Sequence, residues 1–264
     1  MRYEVICGDS AEKLKEIPDA SIDMVITSPP YDNLRTYKGF TFDFETIAKE
    51  LYRVVKSGGV IVWIVADGTE NGSETGTSFK QALYFKELGF NIHDTMIWAK
   101  PGFSVIDAID IRYPQTFEYM FVFSKGKPKA AHIIKDRKNK HAGATFKGYQ
   151  RQKDGTMDKK RHTWGTVERE IGVRFNVWEI PPATVDRKNA DHPAPFPFEL
   201  ARDHIISWSN KGDLVLDPFL GSGTSGVACV DTGRDFIGIE IAPEYAEMAK
   251  RRIDEAAAQI RFDI

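Results

Sequence analysis

Only two cysteines, Cys7 and Cys229, occur in 264 residues, far apart and without a partner at metal-ligand spacing. Their scarcity excludes a disulfide framework and a zinc site, and it points to a reducing compartment. His93, His132, His141, His162, His192 and His204 show no paired ligand spacing, so no metal is expected. No apolar run approaches the ~20 residues of a membrane-spanning helix. The opening residues, Met1-Arg2-Tyr3-Glu4-Val5, lack the apolar stretch of a secretory signal. A soluble, cytoplasmic protein without membrane contact is expected. No internal repeat is visible. Net charge is also small, at −2, which by itself gives nucleic acid little attraction.

What the total hides, the distribution shows. Residues 125–176 hold fifteen Lys and Arg against five acids, a net +10 that leaves −12 elsewhere. Phe146, Tyr149, Trp164 and Phe175 are interleaved with this charge. A basic surface carrying aromatics suits phosphate contact and base stacking, although a solvated insertion reads the same way. Lys138, Lys140, Lys147, Arg151, Lys159, Lys160 and Arg161 are the candidate DNA-binding side chains.

Hydrophobic residues make up 42%, enough for one large core or a core with a small module. Strand and helix patterns alternate at both ends of the chain, as in a mostly parallel sheet covered by helices. Strands are predicted at Tyr3–Cys7, Ile22–Thr27, Val60–Val65, Ile92–Ala99, 117–123, Val177–Trp178, Leu214–Leu216 and Phe236–Ile239. Helical spacing covers Ala11–Ile17, Phe44–Lys56 (closed by Gly58-Gly59), Phe79–Leu88, about Phe198 to Ser209, Val227–Asp231 and Pro243–Ile260. Residues 66–78 are polar and Gly-rich, and they read as a mobile loop. The basic window interrupts the alternation. Residues 1–124, 125–176 and 177–264 are therefore expected as one half of a domain, an insertion, and the other half.

The strand at 214–216 runs into Asp217-Pro218-Phe219-Leu220-Gly221-Ser222-Gly223-Thr224, and the next strand ends in Glu240. Glycines at a strand-to-helix turn let backbone approach a ligand, and an acid ending the next strand can take both ribose hydroxyls. Gly221, Gly223 and Gly226 also spell G-x-G-x-x-G, the dinucleotide signature, yet one helix is all that remains after Glu240. A full dinucleotide fold needs further strands there. The sheet must be completed from the N-terminal side, which brings the turn to the same edge as Asp9 and Thr27-Ser28-Pro29-Pro30-Tyr31.

With these residues in that order, the chain resembles the beta group of amino-directed DNA methyltransferases. There, a Ser/Asp-Pro-Pro-Tyr loop precedes the target-recognition region, and an Asp-Pro-Phe-x-Gly-Ser-Gly-Thr turn follows it. Gly8-Asp9, Trp98-Ala99-Lys100-Pro101, Thr116-Phe117-Glu118-Tyr119, His192-Pro193-Ala194 and Phe196-Pro197 extend the match over nearly the whole chain outside 125–176. The resemblance implies a permuted Rossmann-like α/β fold, with the basic window as a target-recognition insertion. It implies S-adenosyl-L-methionine as cofactor, double-stranded DNA as substrate, and a partner restriction endonuclease for the same site.

Asp9 would contact adenosine, Phe219 to Thr224 would cradle the methionine moiety, Glu240 would hold the ribose, and Asp217, Phe196 and Pro197 would complete the site. Asp9 reads equally as a helix N-cap.

The catalytic loop has a chemical rationale. An exocyclic amino nitrogen is a poor nucleophile because its lone pair is delocalised into the ring. Ser28 and the Pro29 carbonyl can each accept one amino hydrogen, Pro29 and Pro30 stiffen the backbone, and Tyr31 can stack on a base taken out of the duplex. Cys7 and Cys229, each inside a predicted element, read as core residues rather than thiolate nucleophiles. In the resembling family Ser before Pro-Pro-Tyr is commoner among N4-cytosine enzymes, so cytosine is preferred over N6 of adenine. A nicotinamide oxidoreductase, a non-enzymatic DNA-binding module, and protein-glutamine or RNA methyltransferases are the other readings.

Overall fold

The computed structural model describes residues 1–30, 42–101, 112–145, 148–159, 167–183 and 197–262. Within them the chain forms two compact units. One is built from Met1–His132 with Asn176–Ile264, and the other is Ile133–Phe175.

In the larger unit, β1 (Tyr3–Cys7), α1 (Ser10–Lys13), β2 (Ile22–Thr27), α2 (Phe44–Val54) and β3 (Val55–Val65) come first. A short hairpin of β4 (Thr69–Glu70) and β5 (Ser73–Glu74) leads to α3 (Thr77–Glu87), β6 (Asn91–Ala99) and β7 (Phe117–Ser124). The smaller unit contains β8 (Arg137–Lys138), β9 (Tyr149–Arg151), β10 (Met157–Lys159) and β11 (Ile171–Gly172), and β8 pairs with β11 and β9 with β10, both antiparallel. The larger unit resumes with β12 (Val177–Glu179), α4 (Phe198–Trp208), β13 (Leu214–Asp217), α5 (Thr224–Thr232), β14 (Asp235–Glu240) and α6 (Pro243–Phe262).

Eight of these strands make one sheet in the order β1-β14-β13-β2-β3-β7-β6-β12. All neighbours pair in parallel except β7, which runs antiparallel to β3 and β6. β2, which flanks β13 on the side away from β14, does come from the N-terminal part of the chain, and the permuted α/β fold follows from that. Side chains alternate across each strand. On β3, Val60, Val62 and Ile64 join a core with Leu200, Ile205, Cys229 and Ile253 of α4, α5 and α6. Ile61, Trp63 and Val65 face the opposite core with Ile47, Leu51 and Phe85 of α2 and α3. Helices thus cover both faces.

The structure corrects three local expectations. Gly58-Gly59 does not close α2, which ends at Val54 when Val55 joins β3 and pairs with Ile22. The two glycines sit at a bulge in β3, where Gly58 has φ +81 and a Cβ on Gly59 would lie 2.7 Å from Val55 Cγ1. Residues 66–78 are not a featureless loop. Buried Asp67, at the end of β3, accepts from the Ser78 backbone N–H at 2.9 Å and from the Ser78 hydroxyl, which fixes the start of α3. Cys7 is exposed rather than part of the core, whereas Cys229 is buried.

Lys125, counted in the basic window, belongs to the larger unit. Its Nζ donates to the carbonyls of Tyr52 and Val55 and lies 4.4 Å over the Tyr52 ring. The compact unit Ile133–Phe175 holds twelve Lys and Arg against five acids, a net +7.

Candidate active site

Because β1, β14, β13, β2 and β3 run parallel, their carboxyl ends share one edge, where α/β sheets bind ligands. The chain leaves β2 towards β3 on one side and leaves β13 towards β14 on the other. A crevice is thereby opened between adjacent strands β2 and β13. Thr27 ends β2 and Asp217 ends β13, and Thr27 Oγ1 donates to Asp217 Oδ1 at 2.6 Å. Ser28 follows half-buried and Pro29 buried. Tyr31 lies outside the described residues.

Asp217 was expected to contact a cofactor, but it is fully buried. Besides Thr27, its carboxylate accepts from Ser225 Oγ at 2.6 Å and the Phe219 N–H at 3.0 Å. It ties the end of β2, the turn and the start of α5 together, so its work is positioning. Burial pushes its pKa up to about 6, against the opposing pull of the Ser225, Thr27 and Phe219 hydrogen bonds.

That shift gives a testable pH dependence. A carboxyl group whose folded pKa exceeds the usual carboxylate value contributes most below the unfolded pKa and loses that contribution as pH rises through about 6. Relative to Asp217→Asn, which cannot ionise, the wild type should lose roughly 1–2 kcal/mol of stability between pH 5 and pH 8. Urea unfolding at both pH values measures this, and an unchanged difference would contradict the burial of a titrating carboxylate.

After Asp217 the backbone turns through Phe219 to Gly223. Phe219 packs edge-on against Phe42 (5.4 Å between centroids) and Trp63 (6.3 Å), so part of its role is to anchor the turn in the core. Gly223, at φ +84, is the N-cap of α5, and a Cβ there would lie 2.9 Å from Ala249 Cα. At Gly226 a Cβ would collide with Ile253 Cδ1. The third glycine of G-x-G-x-x-G therefore serves the contact of α5 with α6. Ser222 and Thr224 are buried with their hydroxyls 3.4 Å apart.

Glu240 ends β14 beside the turn. Its Oε2 accepts from the Gly221 N–H at 2.8 Å and its Oε1 from the Ala242 N–H at 2.9 Å. Asp9 is exposed at the end of β1 and caps α1, accepting from the Ala11 N–H at 2.8 Å. Of the two roles open for it, the N-cap is the one seen. Pro197 is buried at the start of α4, and Phe196 lies outside the described residues.

Several residues absent from the sequence reading hold this edge together. Ser10 Oγ donates to the Pro218 carbonyl and Arg252 of α6 donates to the Ser222 carbonyl. Thr27 carried one legible signal, a polar residue closing an apolar strand, and Ser225 follows the glycine turn eight positions after Asp217. Ser10 and Arg252 carried none, because their partners are brought close only by the sheet order and by α6. At the carboxyl end of β6, Lys100 pairs with Glu118 of β7 and lies 4.5 Å over the Trp98 ring. This gives two of the quoted sequence motifs one contact.

Exposed Cys7 pairs in register with Glu240 on the outermost strand. It lies three strand spacings from β2, about 14 Å at the usual separation. A thiol there cannot attack a ring held at Ser28. Among the described residues there is no group of three or more His, Cys, Asp or Glu that could hold a metal, and no helix is long and apolar enough to cross a membrane.

Lys138, Lys140 and Arg151 are exposed in the smaller unit. Lys147, Lys160, Arg161 and the side chain of Lys159 lie outside the described residues.

Known proteins match this architecture. A family model described as DNA methylase, N6_N4_Mtase, matches residues 22–251. The orphan methyltransferase M.BamHII of Bacillus amyloliquefaciens is 53% identical over 245 residues, covering 90% of this chain and 91% of that protein. The DNA adenine methyltransferase YhdJ of Escherichia coli K12 is 30% identical, covering 96% and 83%. The Thermus thermophilus protein TTHA0409, crystallised with S-adenosyl-L-methionine, superposes with a TM-score of 0.64 at 25% identity, over 97% of this chain and 96% of that one. The chain belongs to the N6/N4 DNA methylase family and is a DNA methyltransferase.

Proposed function

We propose that the protein transfers a methyl group from S-adenosyl-L-methionine to the exocyclic N4 of cytosine in double-stranded DNA. The Thr27–Asp217 hydrogen bond carries this reading, since it couples the backbone leading to Ser28 and Pro29 to the glycine turn. The donors and acceptors present suit the cofactor. Each Glu240 oxygen takes one backbone N–H and keeps a lone pair for a vicinal ribose hydroxyl. The glycine turn offers close backbone approach to the methionine part, with Phe219, Ser222 and Thr224 around it.

When bound, the cofactor supplies a methyl group activated by a sulfonium, with a neutral thioether as leaving group. The protein's part is to hold the amino nitrogen in line with that methyl. Ser28 Oγ and the Pro29 carbonyl each accept one N–H of the amino group, which draws the nitrogen towards tetrahedral geometry and frees its lone pair. Tyr31 stacks on the extruded base. The methylated nitrogen, now cationic, then releases one of its two hydrogens as a proton to water, and no covalent bond to the protein forms.

Family membership leaves both amino groups open, and the Escherichia coli relative is named for adenine. Ser28 supports cytosine through the usage of the beta group. Sequencing of DNA from cells expressing the protein, by a method that distinguishes N4-methylcytosine from N6-methyladenine, tests the choice. N6-methyladenine at a unique sequence would overturn it.

The basic segment would hold the duplex. Charge reversal at Lys159, Lys160 and Arg161 is expected to weaken DNA binding and to flatten the fall of log affinity with log salt, by roughly one unit of slope per lost phosphate contact. An unchanged slope would count against a phosphate-facing role.

A further inference from the structure

The smaller unit carries a two-stranded ribbon whose side chains are almost all uncovered. In β9 and β10, Arg151 pairs with Met157, Gln150 with Asp158 and Tyr149 with Lys159. Side chains alternate between the faces of a ribbon, so Tyr149, Arg151 and Met157 share one face and Gln150 and Asp158 the other. Tyr149 is 57% exposed and Met157 61% exposed. A lone hairpin is marginal in water, and large apolar side chains left open on it indicate a surface that meets a partner.

The ribbon is held ready by its turn. Gln152 N–H donates to the Thr156 carbonyl at 2.8 Å, and the Asp154 carboxylate accepts from the Thr156 N–H (3.0 Å) and hydroxyl (2.7 Å). Gly155, at φ +87, closes it. Arg151 is anchored as well, its Nε donating to the Gly155 carbonyl at 3.4 Å. No other described residue is recorded accepting from its guanidinium. The outward edge, Nη1 and Nη2, keeps the fork that matches two parallel acceptors.

We propose that this ribbon enters the major groove of the substrate duplex, where Arg151 reads a guanine through O6 and N7 with Met157 packed on the neighbouring base edge. The major groove is about 12 Å wide and admits a two-stranded ribbon, and paired acceptors of this kind belong to guanine there. The net +7 of residues 133–175 supplies the attraction to phosphate. The face carrying Arg151 turns to the bases rather than the one carrying the acid Asp158. This inference rests on the DNA-methyltransferase reading and names the element that confers its sequence preference.

The test compares wild type, Arg151→Lys and Arg151→Ala on duplexes in which each base pair of the methylated sequence is replaced in turn. Wild type is expected to discriminate against replacement of one G·C pair by about 10- to 100-fold. Arg151→Lys should lose that discrimination at that pair alone while keeping the salt slope of binding, because it retains the charge and loses the fork. Unaltered cofactor affinity reports that the larger unit is folded, and discrimination kept at the other base pairs reports that the smaller one is. Discrimination kept at every pair by both variants would overturn the proposal. So would a uniform loss of affinity with a shallower slope in Arg151→Ala, which marks a phosphate contact. Failure of wild type to methylate any duplex would instead overturn the enzymatic reading.

Discussion

Replacing Ser28 by alanine is expected to lower kcat by about 10²- to 10³-fold, the range found when one preorganised hydrogen-bonding group is removed from a transition state. The Pro29 carbonyl would remain, so one amino hydrogen would still be held while the other lost its acceptor. Ser28 is half-buried just beyond the end of β2, outside the turn at 217–224 that would hold the cofactor. Cofactor affinity should therefore change by less than about twofold. Equilibrium binding of the cofactor, measured beside single-turnover methylation, separates the two effects. A large loss of cofactor binding with the rate at saturation intact would place Ser28 in the cofactor site instead of at the base.

Glu240→Gln should show the opposite pattern. The carboxylate accepts two backbone N–H groups and has one further lone pair on each oxygen for the ribose hydroxyls. The amide keeps one acceptor oxygen and puts an NH2 where the other stood. It must leave either Gly221 or Ala242 without its partner and lose a charge-assisted bond to the ribose. The cofactor Kd is expected to rise about 100-fold, with kcat at saturating cofactor within about tenfold of wild type. Titration of the cofactor against both proteins reads this directly. Equal affinity for both would remove Glu240 from the ribose site.

The two variants divide the edge into a part that handles the base and a part that handles the cofactor. That division was legible in the sequence because each part lies at the carboxyl end of an apolar strand and carries polar residues a core would reject. Around β13 and β14 the sheet is completed by β1, β2, β3, β7, β6 and β12. The function of Asp217 was not legible. Its neighbour Thr27 is 190 positions away and becomes adjacent only when β13 pairs with β2. A motif shows that an acid stands at a strand end, but only burial distinguishes a ligand contact from a tie between segments.

Local misreadings share a similar cause. Gly58-Gly59 after a helical stripe has the composition of a C-cap, but pairing of Val55 with Ile22 draws the chain into the sheet first. The polar run at 66–78 lacks any apolar pattern, and Asp67 orders its far end through Ser78. Cys7 lies in an apolar strand, yet its place on the edge strand leaves it exposed. In the first and third cases the place of a strand in the sheet overrode local composition, and in the second a buried side chain did.

The most direct measurement incubates the protein with mixed-sequence duplex DNA and methyl-labelled S-adenosyl-L-methionine, digests the DNA to nucleosides and identifies the labelled product by mass spectrometry. The expected product is N4-methylcytosine, formed by wild type and reduced about 10²- to 10³-fold with Ser28→Ala. Label in N6-methyladenine, in 5-methylcytosine, or in no nucleoside at all, would overturn that reading.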